Sequence, residues 1–335
     1  MKIKTIIILL LSCFFANLSL AQTRLQVNSP DGSISVKIKT GNTQLNLATY
    51  SVMFNGVEIF KNANIGFVLK DDTNEDQWLA KPSKIITINN SWTQIYGEKQ
   101  EIKDNYKAIT LTFSNQKSVN EKIDIEFRVY NEGIAFRYKI NNKTPLTLTK
   151  ENSDFAFAKN DTAWVTKTAQ GIFSKKPINE IKDASERPMT LKHSDNIYYA
   201  IGEAGLVDFA RMKLINTGDL TLSSVLSSEV NQVNLKSPWR YILLGNSAGD
   251  LLEKNYLLLN LNEPNQIKNT SWIVPGKVIR ENSLTTNGSY QVIDFAAEHH
   301  IKYVSFDAGW YGKEDADSSD ASRVMIDPAR SKGPL

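Results

Sequence analysis

Apolar and polar residues alternate along most of this chain, and the alternation predicts β-strands. Residues 33–39 alternate with a period of two after the turn Pro30-Asp31-Gly32. Residues 123–130 and 134–140 flank Asn131-Glu132-Gly133. We predict a hairpin there, because Asn and Gly adopt the positive φ angles that a tight turn requires. Many such runs separated by turns are typical of a large antiparallel β-sandwich.

The pattern changes after about residue 270. Pro275-Gly276 interrupts the strand pattern, and Thr285-Thr286-Asn287 is predicted to cap a helix that runs to about His300. The apolar stripe of this helix comprises Val292, Ile293, Phe295 and Ala296. Residues 303–306 form a short apolar run, which is typical of a buried strand in a parallel sheet. We therefore predict a β-sandwich over 22–270 and the start of an α/β domain over 271–335.

Candidate chemistry follows that predicted strand. Asp307 and the aromatic pair Trp310-Tyr311 come just after residue 306. In a barrel of alternating strands and helices, active sites lie where the strands end. An acid beside flat rings suits a sugar, because the carboxylate binds hydroxyls and the rings cover the apolar face. An ordinary loop fits the pattern as well. A whole (β/α)8 barrel takes roughly 250 residues, so residues 271–335 have room for only its first part.

The N-terminus resembles a secretory signal peptide over residues 1–21. Lys2 and Lys4 precede an apolar stretch, and Ser19-Leu20-Ala21 supplies the small residues of a cleavage site. The stretch is short for a transmembrane anchor, so we expect an exported protein with no membrane span, periplasmic or on the surface of a Gram-negative bacterium. Cys13 is the only cysteine and would be removed, which excludes disulfides, thiol nucleophiles and zinc-thiolate sites in the mature protein.

Charge and histidine content exclude other classes. The formal net charge is +3, and Lys and Arg are not clustered as they are in proteins that track phosphates, so we expect no nucleic-acid partner. Three histidines in 335 residues make a His-based metal centre or a Ser-His-Asp triad improbable.

Seven segments together carry a family resemblance. They are Ser29-Pro30-Asp31-Gly32, Arg128 to Tyr138 (RVYNEGIAFRY), Glu203-Ala204-Gly205-Leu206, Pro238-Trp239-Arg240, Leu261-Asn262-Glu263-Pro264, Pro275-Gly276-Lys277 and Phe306 to Gly312 (FDAGWYG). In this order and spacing the chain resembles glycoside hydrolase family 97. The resemblance implies a mostly β chain, with an N-terminal β-super-sandwich followed by a truncated (β/α)8 barrel. It also implies an exo-acting, calcium-dependent α-glucosidase or α-galactosidase that degrades α-linked oligosaccharides.

The resemblance also assigns roles to particular residues. Glu203 matches the sandwich glutamate that ligates Ca²⁺ in the family, and Ca²⁺ commonly takes Glu oxygens. Asp307 and Trp310 match residues that line the substrate pocket. The two catalytic carboxyl groups and the other calcium ligands match no residue of this chain, so we expect the chain alone to be inactive. For Arg240, a bidentate ion pair that holds the sandwich together is expected rather than a ligand contact.

Three alternatives stay open. The sandwich could be a non-catalytic carbohydrate-binding module, or a purely structural domain beside an active site built elsewhere. A mutarotase-like epimerase would need a His and an acid that face each other, and His193 is the only histidine in the β region. The residues do not decide between glucoside and galactoside, between inversion and retention, or between oligomeric states.

Overall fold

The computed structural model describes residues 24–70, 77–116, 122–283, 285–307 and 316–318. Its strands are β1 (Arg24–Asn28), β2 (Ile34–Thr43), β3 (Asn46–Phe54), β4 (Val57–Leu69), β5 (Trp78–Pro82), β6 (Ile86–Thr93), β7 (Glu101–Asn115), β8 (Lys122–Tyr130), β9 (Gly133–Ile140), β10 (Leu146–Ala156), β11 (Thr162–Val165), β12 (Ser174–Pro177), β13 (Met189–Ser194), β14 (Ile197–Ala204), β15 (Met212–Gly218), β16 (Thr221–Leu226), β17 (Val230–Gln232), β18 (Trp239–Gly245), β19 (Val278–Glu281) and β20 (Tyr303–Phe306). Its helices are α1 (Ala248–Glu253), α2 (Leu257–Asn260) and α3 (Thr286–Glu298), with a 3-10 turn at Ile178–Glu180.

The chain divides into two compact units. The first comprises the described residues up to Thr93 together with Glu101–Pro264. The second comprises Gln94–Gln100 and the described residues from Asn265 onward. The mostly β character predicted from the alternation is confirmed.

Two antiparallel sheets make up the first unit. The smaller has the order β1-β2-β3-β4-β10-β16-β15, with β17 also paired to β10. The larger has the order β12-β11-β13-β14-β18-β9-β8-β7-β5, with β6 paired to β7. The predicted hairpin is formed by β8 and β9, in which Val129 lies opposite Ile134.

The inner faces of the two sheets pack on each other as a sandwich. Aromatic rings of the smaller sheet meet rings of the larger one: the ring centroids of Tyr50 and Phe136 are 5.4 Å apart. Phe60 likewise packs edge-on against Tyr199 at 5.5 Å. Such pairs stabilise a core beyond the area they bury. The period-two alternation thus sends one face of most strands into a single continuous core.

A second, smaller apolar cluster covers the outer face of the larger sheet. Leu251 and Leu257 from the α1–α2 segment pack there, beside buried Trp239 and Tyr241. Helix α1 begins at a capped end, because the Ser247 hydroxyl accepts a hydrogen bond from the Asp250 amide at 3.0 Å. Both faces of the central strands β9 and β18 are therefore buried.

The hairpin between β8 and β9 depends on close backbone contacts. At Gly133, a Cβ atom would lie 2.2 Å from the carbonyl oxygen of Ile242, which no side chain tolerates. The neighbouring Asn131 side chain accepts a hydrogen bond from the Asp31 amide at 3.0 Å. Two of the sequence segments singled out above, around Asp31 and Asn131, therefore contact each other and serve the fold.

The second unit contains a parallel strand pair and one helix. Strand β19 pairs with β20 in parallel, and Glu281 lies opposite Phe306. Helix α3 begins after Thr285, whose hydroxyl accepts from the Gly288 amide at 3.0 Å, so the predicted cap is confirmed.

The predicted burial of this segment is wrong for several residues. Tyr303 and Phe306 are 39% and 37% exposed, and Phe295 of the helix stripe is 45% exposed. Among the described residues β20 has one neighbouring strand, so its faces are only partly covered. Ala296 is the member of the stripe that is buried.

Candidate functional site: a buried ion-pair network around Glu203

Glu203 lies in the first unit, near the end of strand β14. Its cross-strand neighbour is Arg240 on β18. The Glu203 side chain is 3% exposed, and both of its carboxylate oxygens accept hydrogen bonds. Oε1 accepts from Arg187 Nε and Oε2 accepts from Arg240 Nη1, each at 2.5 Å. The Met212 amide adds a longer contact of 3.3 Å to each oxygen.

Arg240 joins the two sheets. Its Nε and Nη2 donate to the two oxygens of Glu151 on β10, each at 2.6 Å, while Nη1 reaches Glu203. Glu151 belongs to the smaller sheet and Arg240 to the larger one. The Arg240 side chain is fully buried. The bidentate structural ion pair expected for Arg240 is therefore confirmed.

Arg187 extends the network toward the surface. Its Nη1 donates to Glu186 Oε2 at 3.1 Å. Glu186 also pairs with Arg211, which is partly exposed, and with Lys213 at 3.1 Å. Ion pairs thus run from the interior at Glu151 to the exposed side chain of Arg211.

The network shifts the pKa values of Arg240, Glu186 and the neighbouring Tyr241. Burial alone would lower the pKa of Arg240, but the Glu151 and Glu203 carboxylates raise it. Burial would raise the pKa of Glu186, and the neighbouring Lys213 and Arg211 lower it instead. Burial, with the Glu203 charge beside it, raises the pKa of Tyr241 to about 12. These two shifts favour the charged forms of Arg240 and Glu186 at neutral pH.

These residues do not fit a calcium site as they stand. The network contains three carboxylates and four cationic side chains, which leaves one net positive charge around Glu203. Ca²⁺ takes six to eight oxygen ligands, several of them carboxylates free of other cations. Within the described part of the chain, no group of three or more His, Cys, Asp or Glu side chains is placed to hold a metal ion.

A second charged cluster contains residues of the Arg128–Tyr138 and Pro238–Arg240 segments. The guanidinium carbons of Arg137 and Arg128 lie 4.1 Å and 4.5 Å from the ring centroid of Trp239. Glu126 binds both arginines at 3.0 Å and Lys139 at 2.6 Å. Although burial raises the pKa of Glu126, these three cations lower it to about 2. The cluster stabilises the outer face of the larger sheet through stacking and charge.

Asp307 lies in the second unit, directly after β20. Its Oδ2 atom pairs with Arg280 Nη2 at 2.5 Å, and both side chains are more than half exposed. Arg280 is on the neighbouring parallel strand β19. An exposed acid and a cation therefore share the C-terminal ends of two parallel strands. Trp310, predicted to line the same pocket, lies outside the described residues.

His193 pairs directly with an acid. Its Nδ1 is 2.9 Å from Asp161 Oδ2, and the Tyr199 hydroxyl donates to the same oxygen at 2.6 Å. A mutarotase-like site would need the His and the acid on opposite sides of a sugar. Direct contact leaves no space for one between them. His299 stacks on Phe295 at the end of α3, with ring centroids 4.1 Å apart.

Sequence reasoning missed Arg187, Glu186 and Glu151. A signal for Glu151 was available, because it shares the inward face of β10 with Ser153 and Phe155. A charged residue at an inward position requires a buried partner of opposite charge. No comparable pattern marks Arg187, which lies between strands.

The chain matches one sequence family over most of its length. Residues 27–264 match the family described as Glycosyl-hydrolase 97 N-terminal. A retaining alpha-galactosidase of Bacteroides thetaiotaomicron is 26% identical over 366 aligned residues, which cover 92% of this chain and 54% of the relative. A probable retaining alpha-galactosidase of Streptomyces bingchenggensis is 25% identical over 210 residues, covering 58% of this chain and 32% of that relative.

Solved structures show the same fold. A glycoside hydrolase family 97 enzyme from Pseudoalteromonas sp. strain K8, in complex with acarbose, has a TM-score of 0.77 at 28% identity, covering 88% of this chain and 48% of that chain. The E480Q variant of a family 97 enzyme from the same strain, in complex with panose, has a TM-score of 0.76 at 28% identity, with the same coverage of both chains. This chain therefore spans about half the length of the first relative and of these structures.

Proposed function

Because the chain belongs to glycoside hydrolase family 97, we propose that it is the N-terminal part of an exo-acting α-glycoside hydrolase that degrades α-linked oligosaccharides. The match over residues 27–264 carries this proposal. The relatives named as retaining alpha-galactosidases favour an α-galactoside substrate and retention of configuration. We retain the proposed division into a sandwich over 22–270 and the start of a barrel over 271–335.

We assign the catalytic carboxyl pair to the part of the relatives' length that this chain does not cover. Glycoside hydrolysis uses two carboxyl groups, one as acid and the other as nucleophile or base. In the first unit, Glu126, Glu151 and Glu203 are each bound by two or more cationic nitrogens. A general acid needs a raised pKa, and the pKa of Glu126 is lowered by its cations.

We propose a structural, non-catalytic role for the sandwich. Its buried core and inter-sheet ion pair make it a densely packed domain. In the second unit, Asp307 is proposed to bind sugar hydroxyls, with Arg280 orienting its carboxylate. Trp310 is proposed as a flat surface for the sugar ring.

Calcium dependence is implied by the family, but the described residues alone do not bind a calcium ion in their present arrangement. Glu203 is the residue that matches the family's ligand, and both of its oxygens accept from arginines.

Export is proposed from residues 1–21, which lie outside the described residues. Among the described residues, no helix is long and apolar enough to cross a membrane. Edman sequencing or mass spectrometry of the secreted protein tests this directly: a mature N-terminus at Gln22 is expected, and retention of Met1 on the exported protein contradicts it.

The substrate proposal is tested with the product of the complete reading frame that contains this chain. Aryl α-galactoside and aryl α-glucoside are offered under the same conditions, and the first anomer released is followed by proton NMR. We expect faster hydrolysis of the galactoside, with the α-anomer formed first. Preference for the glucoside, or release of the β-anomer, contradicts the assignment of substrate or of stereochemistry respectively.

A further inference from the structure

A cavity of about 280 Å³ lies at the edge of the larger sheet where β12 is the last strand. The connection between β11 and β12 lines one side of the cavity, and residues 181–185 line the other. The lining includes the buried apolar side chains of Val165 and Ile181. Pockets for drug-sized ligands have volumes of about 300–1,000 Å³, so this cavity suits a single small ring rather than a chain of sugars.

Backbone contacts hold the two sides of the cavity in place. The Glu186 amide donates to the Thr166 carbonyl oxygen at 2.8 Å and so joins one side to the other. The Gly171 amide donates to the Thr168 carbonyl oxygen at 3.0 Å. A Cβ atom at Gly171 would lie 2.5 Å from the Thr166 hydroxyl oxygen, so this connection folds closely on itself. The cavity is therefore formed by the chain's own contacts.

Three lysines line the cavity, and two of them lack an acid. Lys167 pairs with Asp183 at 2.6 Å. Within the described ranges, Lys176 and Lys182 form no ion pair and donate no hydrogen bond. The hydrogen bond and charge of Lys167 lower the pKa of Asp183, and the charges of Lys176 and Lys182 add to this effect. Three cations and one acid leave two positive charges at the cavity.

The half-buried position of Lys176 favours an anionic ligand. Its side chain is only partly exposed, so it has lost part of its hydration. A cation that is withdrawn from water without an acid partner costs free energy. An anion bound in the cavity would restore that partner for Lys176 and for the more exposed Lys182.

Two hydroxyl groups in the cavity are placed to accept hydrogen bonds. The Thr166 hydroxyl donates to the Thr168 carbonyl oxygen at 3.1 Å, and the Ser185 hydroxyl donates to the Asp183 carbonyl oxygen at 3.3 Å. Because each proton already has a backbone acceptor, the lone pairs of both hydroxyl oxygens are left for donors. A bare anion has no hydrogen to donate, whereas a sugar acid carries both a negative charge and hydroxyl donors.

We propose that this cavity is a non-catalytic binding site for a sugar acid. Lys176 and Lys182 bind its carboxylate, and Thr166 and Ser185 accept hydrogen bonds from its hydroxyls. None of these four residues lies in the segments that carry the family resemblance. The site takes part in no step of glycoside hydrolysis, so loss of the hydrolase proposal leaves it unaffected.

The test measures binding of D-glucuronate to the folded 335-residue chain by saturation-transfer difference NMR. D-Glucose has a similar ring without the charge, and acetate has the carboxylate without the hydroxyls. Lys176→Met and Lys182→Met each remove one cation from the cavity. Lys175→Met is the matched control, because Lys175 is the next residue on β12, stacks on Trp164 at 5.5 Å and does not line the cavity.

We expect D-glucuronate to bind with a Kd on the order of 1 mM, typical of one sugar-sized ligand. Lys176→Met should weaken binding at least about tenfold, the effect of one lost hydrogen bond to a charged group. Lys182→Met should weaken it about threefold, because this side chain is more exposed and its charge is better screened. Lys175→Met should bind as tightly as the unaltered chain, and D-glucose and acetate should bind at least about tenfold more weakly.

Three results overturn the proposal. The first is no binding of D-glucuronate by the unaltered chain. The second is D-glucose or acetate binding as tightly as D-glucuronate, which would mean that charge and hydroxyls are not recognised together. The third is an equal loss in Lys175→Met and Lys182→Met, which would reflect net charge alone. Lys182 is exposed, so this last comparison stays available if Lys176→Met does not fold.

Discussion

The sandwich and the β19–β20 segment differ in how far they bury their charged and apolar side chains. In the sandwich, Arg240 is fully buried and binds two acids, and the core aromatics are covered on all sides. In the second unit, the Arg280–Asp307 pair is more than half exposed, and Phe295 and Tyr303 are open to solvent. Charged and aromatic side chains thus stabilise the interior of the sandwich, whereas in the second unit they remain accessible to solvent.

This difference matches the separate roles that we propose for the two units. In the sandwich, residues of the segments that carry the family resemblance contact one another. Trp239, for example, contacts the guanidinium groups of Arg137 and Arg128. Asp307, at the end of β20, keeps part of its carboxylate free. Family motifs in the sandwich therefore serve the fold, and among the family motifs ligand contact is proposed only for the one that includes Asp307.

The largest expected effect comes from breaking one ion pair in each unit. Arg240→Met leaves Glu151 and Glu203 buried without this partner, and we expect the free energy of unfolding to fall by about 3–5 kcal/mol. Arg280→Met removes an exposed pair and should cost at most about 1 kcal/mol. Urea denaturation of the 335-residue chain measures both. Equal losses in the two variants would erase the contrast between the units.

The pH dependence of the free energy of unfolding should reveal the contribution of the Glu126 cluster. Because the folded-state pKa of Glu126 is about 2, below its ordinary value of 4.5, its ionised form stabilises the fold above pH 4.5. This contribution, about 3 kcal/mol, should be lost as the pH falls from 4.5 toward 2. Glu126→Gln should remove this part of the acid sensitivity; an unchanged pH dependence in that variant would show that the cluster does not stabilise the fold.

A substitution at Gly133 tests how closely the backbones of β9 and β18 must pack. Gly133→Ala would place a methyl group 2.2 Å from the Ile242 carbonyl oxygen. We expect a loss of about 1–3 kcal/mol, typical of overpacking. Gly249→Ala is the matched control, since its Cβ would lie 3.8 Å from the nearest atom and within helix α1, where Ala is favoured. Thermal unfolding of both variants distinguishes a local steric requirement from a general sensitivity to alanine.

The smallest effect is expected at the start of α3. Thr285→Ala removes the hydroxyl that accepts from the Gly288 amide and should destabilise the helix by about 1 kcal/mol. Hydrogen exchange should quicken at the first amides of α3 and stay unchanged in the sandwich strands. Ser289→Ala serves as the control, because the Ser289 hydroxyl donates to the Thr285 carbonyl and caps no amide. Faster exchange throughout the sandwich would mean that the two units share their stability.

Much of the fold could be predicted from the sequence because local rules decide it. The hairpin follows from Asn131 and Gly133, and the helix start follows from Thr285. Burial in the second unit was predicted wrongly. An apolar run such as Tyr303–Phe306 indicates which side chains a strand can bury, but it does not indicate which other elements cover that strand.

The candidate site was harder to predict, because its partners come from distant parts of the chain. Arg240 was correctly expected to form a bidentate pair, but its partner Glu151 lies 89 residues away. Arg187 carries no periodic signal. Pairings that depend on the contact of two sheets are set by the topology, and a single sequence does not display it.

The most direct test of the account is a paired hydrolysis assay. The 335-residue chain and the product of the complete reading frame are assayed side by side on aryl α-galactoside, with circular dichroism to confirm that both are folded. We predict turnover by the longer product and none by the folded 335-residue chain. Turnover by the 335-residue chain would contradict the assignment of the catalytic pair outside it, and inactivity of the longer product on every α-glycoside would contradict the proposed function.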